Sequence, residues 1–147
     1  MKSILTTLIA AIAILISSSF SPFSTDTKYV IIVNSENTTS DLTASKAKLI
    51  FLRKITKRWK ELNKNIVPVD RIGEVPIRTA FLNKILKMSS TDLYRYFTER
   101  EHKNATAAPS RLRSDEEVVK YVEANIGAIG YVNKSSVEGN VKVVLNF

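Results

Sequence analysis

The sequence predicts an α/β fold, a mixed sheet flanked by helices, in one domain. Short runs rich in β-branched and aromatic residues alternate with longer segments whose apolar residues recur every three or four positions, the pattern of strands interleaved with amphipathic helices. Of the 147 residues, 44% are apolar and 24% charged, which suits one packed core and leaves no room for two ordinary domains. With only 4 Gly, 4 Pro and no internal repeat, collagen-like and low-complexity architectures are excluded.

The chain opens with a targeting segment rather than with fold. Lys2 precedes an uncharged stretch, Ser3 to Thr25, whose apolar centre from Leu8 to Ile16 ends in Ser17, Ser18 and Ser19. A basic start, a short hydrophobic centre and small residues at the exit are the layout of a secretory signal. The strongly apolar part falls short of the ~20 residues that a membrane-spanning helix requires. Residues 1–24 are therefore expected to be a signal peptide and residues 25–147 the folded domain, with a periplasmic or secreted destination.

Tyr29 to Val33 is β-branched and aromatic and stops at the turn formers Asn34 to Asn37, which predicts a buried strand. From Thr43 the apolar positions Ala47, Ile50, Phe51, Ile55 and Trp59 recur at helical spacing, predicting a basic amphipathic helix broken near Arg53. Ile66 to Val69 reads as a second strand that Pro68 confines to an edge or a strand end. Pro76 opens a helix with Ile77, Phe81, Leu82, Ile85 and Leu86 on its inner side. Ser89 to Asp92 supplies a cap and an acidic first turn for a third helix, which buries Leu93, Tyr96 and Phe97. The polar stretch Asn104 to Arg113 reads as an exposed crossover. Ser114 to Glu117 forms a capping box ahead of Val118, Val119 and Val122, and Gly127 is expected to stop that helix in the left-handed conformation. Ala128 to Val132 and Val141 to Leu145 complete the sheet.

Composition also narrows the chemistry. The absence of cysteine removes disulfides, thiolate catalysis and sulfur-bound zinc, and the one histidine, His102, lies among charged residues at a helix end. No acid/base pair, activated nucleophile or metal-ligand set is visible, so neither an enzyme nor a cofactor or metal site is expected. The formal net charge of +8 is uneven: Lys46 to Lys64 holds eight basic residues against Glu61 alone. Export argues against nucleic acid as the partner of that charge and leaves an anionic membrane surface, an acidic partner or plain solvation.

Several stretches, taken in order, resemble one family. They are Ile32-Val33-Asn34, Leu42-Thr43 leading to Ile50-Phe51-Leu52, Trp59, Ile66 to Val69, Arg78 with Phe81, Ser114 to Val122, and Gly127 to Val132. Together they resemble the type 2 periplasmic solute-binding proteins, in particular the substrate-binding proteins of phosphate ABC transporters. The resemblance implies a single-lobe, periplasmic-binding-protein-like domain and a small oxyanion such as phosphate as ligand. It also implies an ABC transporter permease or envelope partner. Phosphate-binding members carry an Arg followed by Ser-Gly-Thr; here Arg71 is followed by Glu74-Val75-Pro76-Ile77. Arg53 stands where relatives often have Gly.

Arg71, Arg78 and Thr79, around the start of the Pro76 helix, are the expected ligand-binding residues, since free N–H groups and cations favour an anion there. The competing assignment pairs Arg71 and Arg78 with Asp70 and Glu74 as ordinary ion pairs. Two functions follow. One is an exported solute-binding module linked to ABC transport or envelope signalling. The other is a non-catalytic envelope protein that has lost its ligand and docks on anionic lipid or an acidic partner through its basic helix.

Overall fold

A computed structural model describes residues 28–55 and 58–147; the expected signal peptide, residues 1–24, lies outside them. The elements run β1 (Tyr29–Asn34), α1 (Ala44–Phe51), β2 (Arg58–Trp59), β3 (Lys64–Asn65), β4 (Val67–Arg71), α2 (Pro76–Phe81) with a π-helical turn at Leu82–Leu86, α3 (Ser90–Asn104), β5 (Ser110–Leu112), α4 (Asp115–Ala124), β6 (Ala128–Asn133), a 3₁₀ turn at Lys134–Ser136, and β7 (Val141–Asn146). Five strands form one sheet in the order β5-β4-β6-β1-β7, and β2 pairs only with β3. β4 is parallel to both β5 and β6, whereas β1 is antiparallel to β6 and β7, so the sheet is mixed as expected. Among the described residues no helix is long and apolar enough to cross a membrane.

Both faces of the sheet are covered, which explains why β1 is an unbroken apolar run rather than an alternating one. Ile31 and Val33, with Ile129 and Tyr131 of β6, pack against α1, α2 and α3. Val30 and Ile32, with Ala128 and Val132, pack against Val118, Val119 and Val122 of α4. Aromatic rings fill the first layer: Phe81 stacks on Tyr131 with centroids 4.1 Å apart, and Phe51 meets Phe81 edge-on at 4.7 Å.

The chain crosses from β4 to β5 through α2 and α3 on one face and from β5 to β6 through α4 on the other. The loops leaving the carboxyl ends of β4 and β5 therefore diverge, and this divergence opens a crevice of the kind where α/β sheets receive ligands.

Several local expectations are corrected. The first helix ends at Phe51, with Arg53 in the left-handed conformation at φ 54°, and Trp59 lies in β2, where its Nε1 donates to the Gly127 carbonyl at 2.9 Å. The expected break near Arg53 is present, but a short hairpin follows it in place of further helix. A left-handed residue with a Cβ is strained, so glycine would suit the Arg53 position better. β4 is interior despite Pro68. The Val67 N–H is directed to Gly127 on the β6 side, so the Pro68 nitrogen faces the β5 side, and β5 begins only opposite Val69. The crossover gains a three-residue edge strand, β5.

Ser114 caps α4 as expected, accepting from the Glu117 N–H at 3.1 Å, but the Glu117 carboxylate reaches back one residue further, to the Arg113 N–H at 2.7 Å. Gly127 is not left-handed; the positive-φ glycines are Gly73 and Gly139. A side chain is excluded at Gly127 because its Cβ would run into the Asn65 carbonyl.

Gly130 lets α4 lie close against the sheet, since a Cβ there would stand 2.6 Å from Val118 Cγ1 and 3.0 Å from Val69 Cγ2. Gly130→Ala should push α4 off the sheet and cost about 1–3 kcal/mol, read as a lower urea midpoint with an unchanged slope.

Candidate functional site

Strand alternation at the end of β4 sends consecutive residues to opposite faces. Val69 packs under α4, so Arg71 also faces α4, whereas Asp70 faces α2. Both are buried, as is Arg78 on the inner side of α2. Buried charges are tolerated only when paired and hydrogen-bonded, and here each is.

Asp70 is the hub of one half of the cluster. Its Oδ1 accepts from the Tyr131 hydroxyl at 2.5 Å and from the Arg71 N–H at 2.8 Å. Its Oδ2 lies 3.2 Å from Arg78 Nε and 3.5 Å from Arg111 Nε. Burial, reinforced by the Asp70 charge, pushes the Tyr131 pKa well above that of an ordinary tyrosine, so the hydroxyl keeps its proton and acts as donor. On the other side of the guanidinium, Arg78 Nη1 donates to Ser90 Oγ at 2.8 Å and to Glu74 Oε1 at 3.3 Å.

Asp115 is the hub of the other half. Its Oδ1 pairs with Arg71 Nη1, while Oδ2 accepts from the Asn133 N–H at 3.0 Å, Asn133 Nδ2 at 2.7 Å and Ser136 Oγ at 2.7 Å. Burial pushes the Asp115 carboxyl up. The hydrogen bonds from Asn133, Ser136 and Arg71 outweigh it and hold the pKa below the usual carboxylate value. Arg71 Nη2 also donates to the Arg113 carbonyl at 3.2 Å.

The structure thus brings Arg71 and Arg78 to the two sides of Asp70 at the β4–β5 crevice. Arg78 pairs with Asp70 and Glu74, and Arg71 chiefly with Asp115, which sequence reasoning treated only as part of a helix cap. Arg111 and Tyr131 were also missed; the one available signal was the parity of β4, which sends Asp70 and Arg71 to different partners. Thr79 is exposed, and its N–H is satisfied within the helix by the Val75 carbonyl at 3.0 Å. Two buried guanidinium nitrogens, Arg71 Nε and Arg78 Nη2, have no hydrogen-bond partner among the described residues.

Beside Asp70 and Arg111, a cavity of about 10 Å³ among Phe51, Phe81, Leu93 and Phe97 has room for one water at most. Among the described residues no three His, Asp or Glu side chains gather as a metal site, and His102 lies exposed in the last turn of α3.

Because the Asp115 pKa is lowered by folding, its stabilising contribution is complete above about pH 4, the unfolded carboxylate value, and is lost as pH falls through the lower folded value. Asp115→Asn should cost about 3 kcal/mol near neutral pH by leaving the Arg71 charge unmatched. It should also flatten the loss of stability below about pH 4, as measured by urea unfolding across an acid series.

No protein-family model and no curated protein matches this chain. Solved structures do. A protein of Clostridium perfringens, described as a phosphate ABC transporter substrate-binding protein and solved with bound phosphate, is 28% identical, with a TM-score of 0.64. The match covers 80% of this chain and 44% of that one. An ABC-type phosphate transport receptor of Vibrio cholerae (22% identity, TM-score 0.62, 80% and 45% covered) and PstS of Borrelia burgdorferi (18%, 0.58, 80% and 46%) share the fold. The chain spans less than half the length of each. With its mixed sheet flanked by helices on both faces, the chain shares the fold of these phosphate ABC transporter substrate-binding proteins.

Proposed function

We propose that this protein is an exported, non-catalytic solute-binding module that takes a small oxyanion of the phosphate type at the β4–β5 crevice. Residues 1–24 direct export, and residues 25–147 act in the periplasm beside an ABC transporter permease or another envelope partner that completes the cleft. The observation that carries this reading is the pair of buried arginines at the crevice. Arg71 and Arg78 each keep one guanidinium nitrogen without a partner, so donors remain after the internal carboxylates are satisfied. Thr79 adds a hydroxyl on the outer side of α2. The bound phosphate of the Clostridium perfringens relative supports the choice of anion.

The reading is tested by calorimetric titration and thermal shift with phosphate and sulfate against chloride at equal ionic strength. Saturable binding to the wild type, weakened at least about tenfold in Arg78→Lys and Arg71→Lys, is the expected result, because lysine keeps the charge but loses the fork of donors. A response that follows ionic strength alone overturns it.

A second reading has its own observation. Lys46, Lys48, Arg53, Lys54, Arg58, Lys60 and Lys64 make no ion pair among the described residues, whereas Arg71, Arg78 and Arg111 all do. Such a surface attracts anionic lipid at roughly 1 kcal/mol per basic residue near the membrane. Co-sedimentation with vesicles of anionic lipid should then be strong at low salt and vanish when the screening length drops to ~3 Å at about 1 M salt. Binding that survives high salt, or that is absent at low salt, rules this reading out.

A further inference from the structure

We propose that Glu74 is a tethered occupant of an anion subsite formed by Arg78 and Ser90, and that it sets the affinity of the crevice rather than its fold. This rests on the oxyanion reading above and identifies what competes with the ligand. The Glu74 side chain is 69% exposed, yet its Oε1 accepts from Ser90 Oγ at 2.7 Å and from Arg78 Nη1 at 3.3 Å. The two donors come from different elements, α2 and the first residue of α3, and they are themselves in contact, with Arg78 Nη1 donating to Ser90 Oγ at 2.8 Å.

Structural need does not explain this arrangement. The Arg78 charge is already met from inside the fold by Asp70, whereas an exposed carboxylate in a single ion pair adds little stability. Arg78, by contrast, is held rigidly: its side chain is 3% exposed, and its Nη2 has no partner among the described residues.

Among the described residues only Oε1 of Glu74 accepts a hydrogen bond, so one acceptor serves two donors while Nη2 of the same guanidinium goes unmet. An oxyanion with three or four acceptor oxygens matches such a set better than a carboxylate. Glu74 leaves solvent-facing space behind when it moves away, since most of its side chain is exposed. The protein therefore carries its own weak anion in a place where an external one fits.

A tether that occupies the subsite ~90% of the time raises the apparent dissociation constant ~10-fold, because only the open fraction binds. The experiment titrates inorganic phosphate into the wild type, Glu74→Gln and Asp92→Asn at fixed ionic strength, with thermal unfolding to confirm that each is folded. Asp92 controls for charge alone. It stands in the first turn of α3, where its carboxylate bonds Ser89 and Arg95 and, among the described residues, makes no hydrogen bond or ion pair with Arg78 or Ser90.

Glu74→Gln should bind phosphate ~10-fold more tightly, and Asp92→Asn should stay within about twofold of the wild type. Equal tightening in both variants reduces the effect to through-space charge and overturns the tether. If the wild type binds and Glu74→Gln is unchanged, the tether falls and the oxyanion reading stands. If neither binds phosphate, both fall.

Discussion

Arginine cannot lose its charge at any pH the protein meets, so burying two of them at the end of one strand obliges the fold to bring carboxylates to them. Asp70 and Asp115 are those carboxylates, and the layers are joined through them. Arg71 with Asp115 binds β4 to the first turn of α4, and Asp115 in turn holds Asn133 and Ser136 at the end of β6. Arg78 with Asp70 binds α2 to β4, and Ser90 extends the link to α3. Tyr131 fits between the halves because burial keeps its hydroxyl protonated and so a donor to Asp70. Removing one member leaves an unmatched charge in a poorly solvated place, which makes the cluster stiff.

The same cluster sets the terms on which an anion can bind. Arg71, Arg78 and Arg111 face Asp70, Asp115 and Glu74, so the crevice is near electrical balance before any ligand arrives. An anion at the proposed site would have to offer better-placed acceptors rather than merely neutralise a bare charge. The crevice is well placed for that, since the connections after β4 and β5 pass to opposite faces of the sheet. A chain that spans 44% of its Clostridium perfringens relative also presents only part of that relative's surface. The basic surface of α1 and the β2–β3 hairpin differs in kind, because among the described residues its cations make no ion pair.

Most of the architecture was legible because it rests on local rules. The apolar run of β1 announced a strand covered on both faces, Ser89 and Ser114 marked helix starts by their side-chain oxygens, and Pro76 marked another. The errors arose where a distant segment decides local conformation. Trp59 continues the helical period of Ala47, Ile50 and Phe51, yet it is drawn into a hairpin by the Gly127 carbonyl, 68 positions away. Pro68 marked an edge or a strand end, and it lies one residue into a strand that is interior, because its missing donor falls beyond the end of the neighbouring β5. Gly127 looked like a helix stop, and its real constraint is the Asn65 carbonyl lying against it.

At the site, the sequence by itself determined which cations are present, that Arg71 and Arg78 flank the start of a helix, and that the chain holds no cysteine. The sequence offered Asp70 and Glu74 as ion-pair partners, and Arg78 takes both, but tertiary structure alone decided that Arg71 pairs with Asp115. The capping segment of α4 carries Asp115 to Arg71 across 44 positions, and β6 carries Tyr131 to Asp70 across 61, distances at which spacing along the chain holds no information. Charge type is a property of composition, but the degree to which a charge is already spent depends on which strands lie side by side.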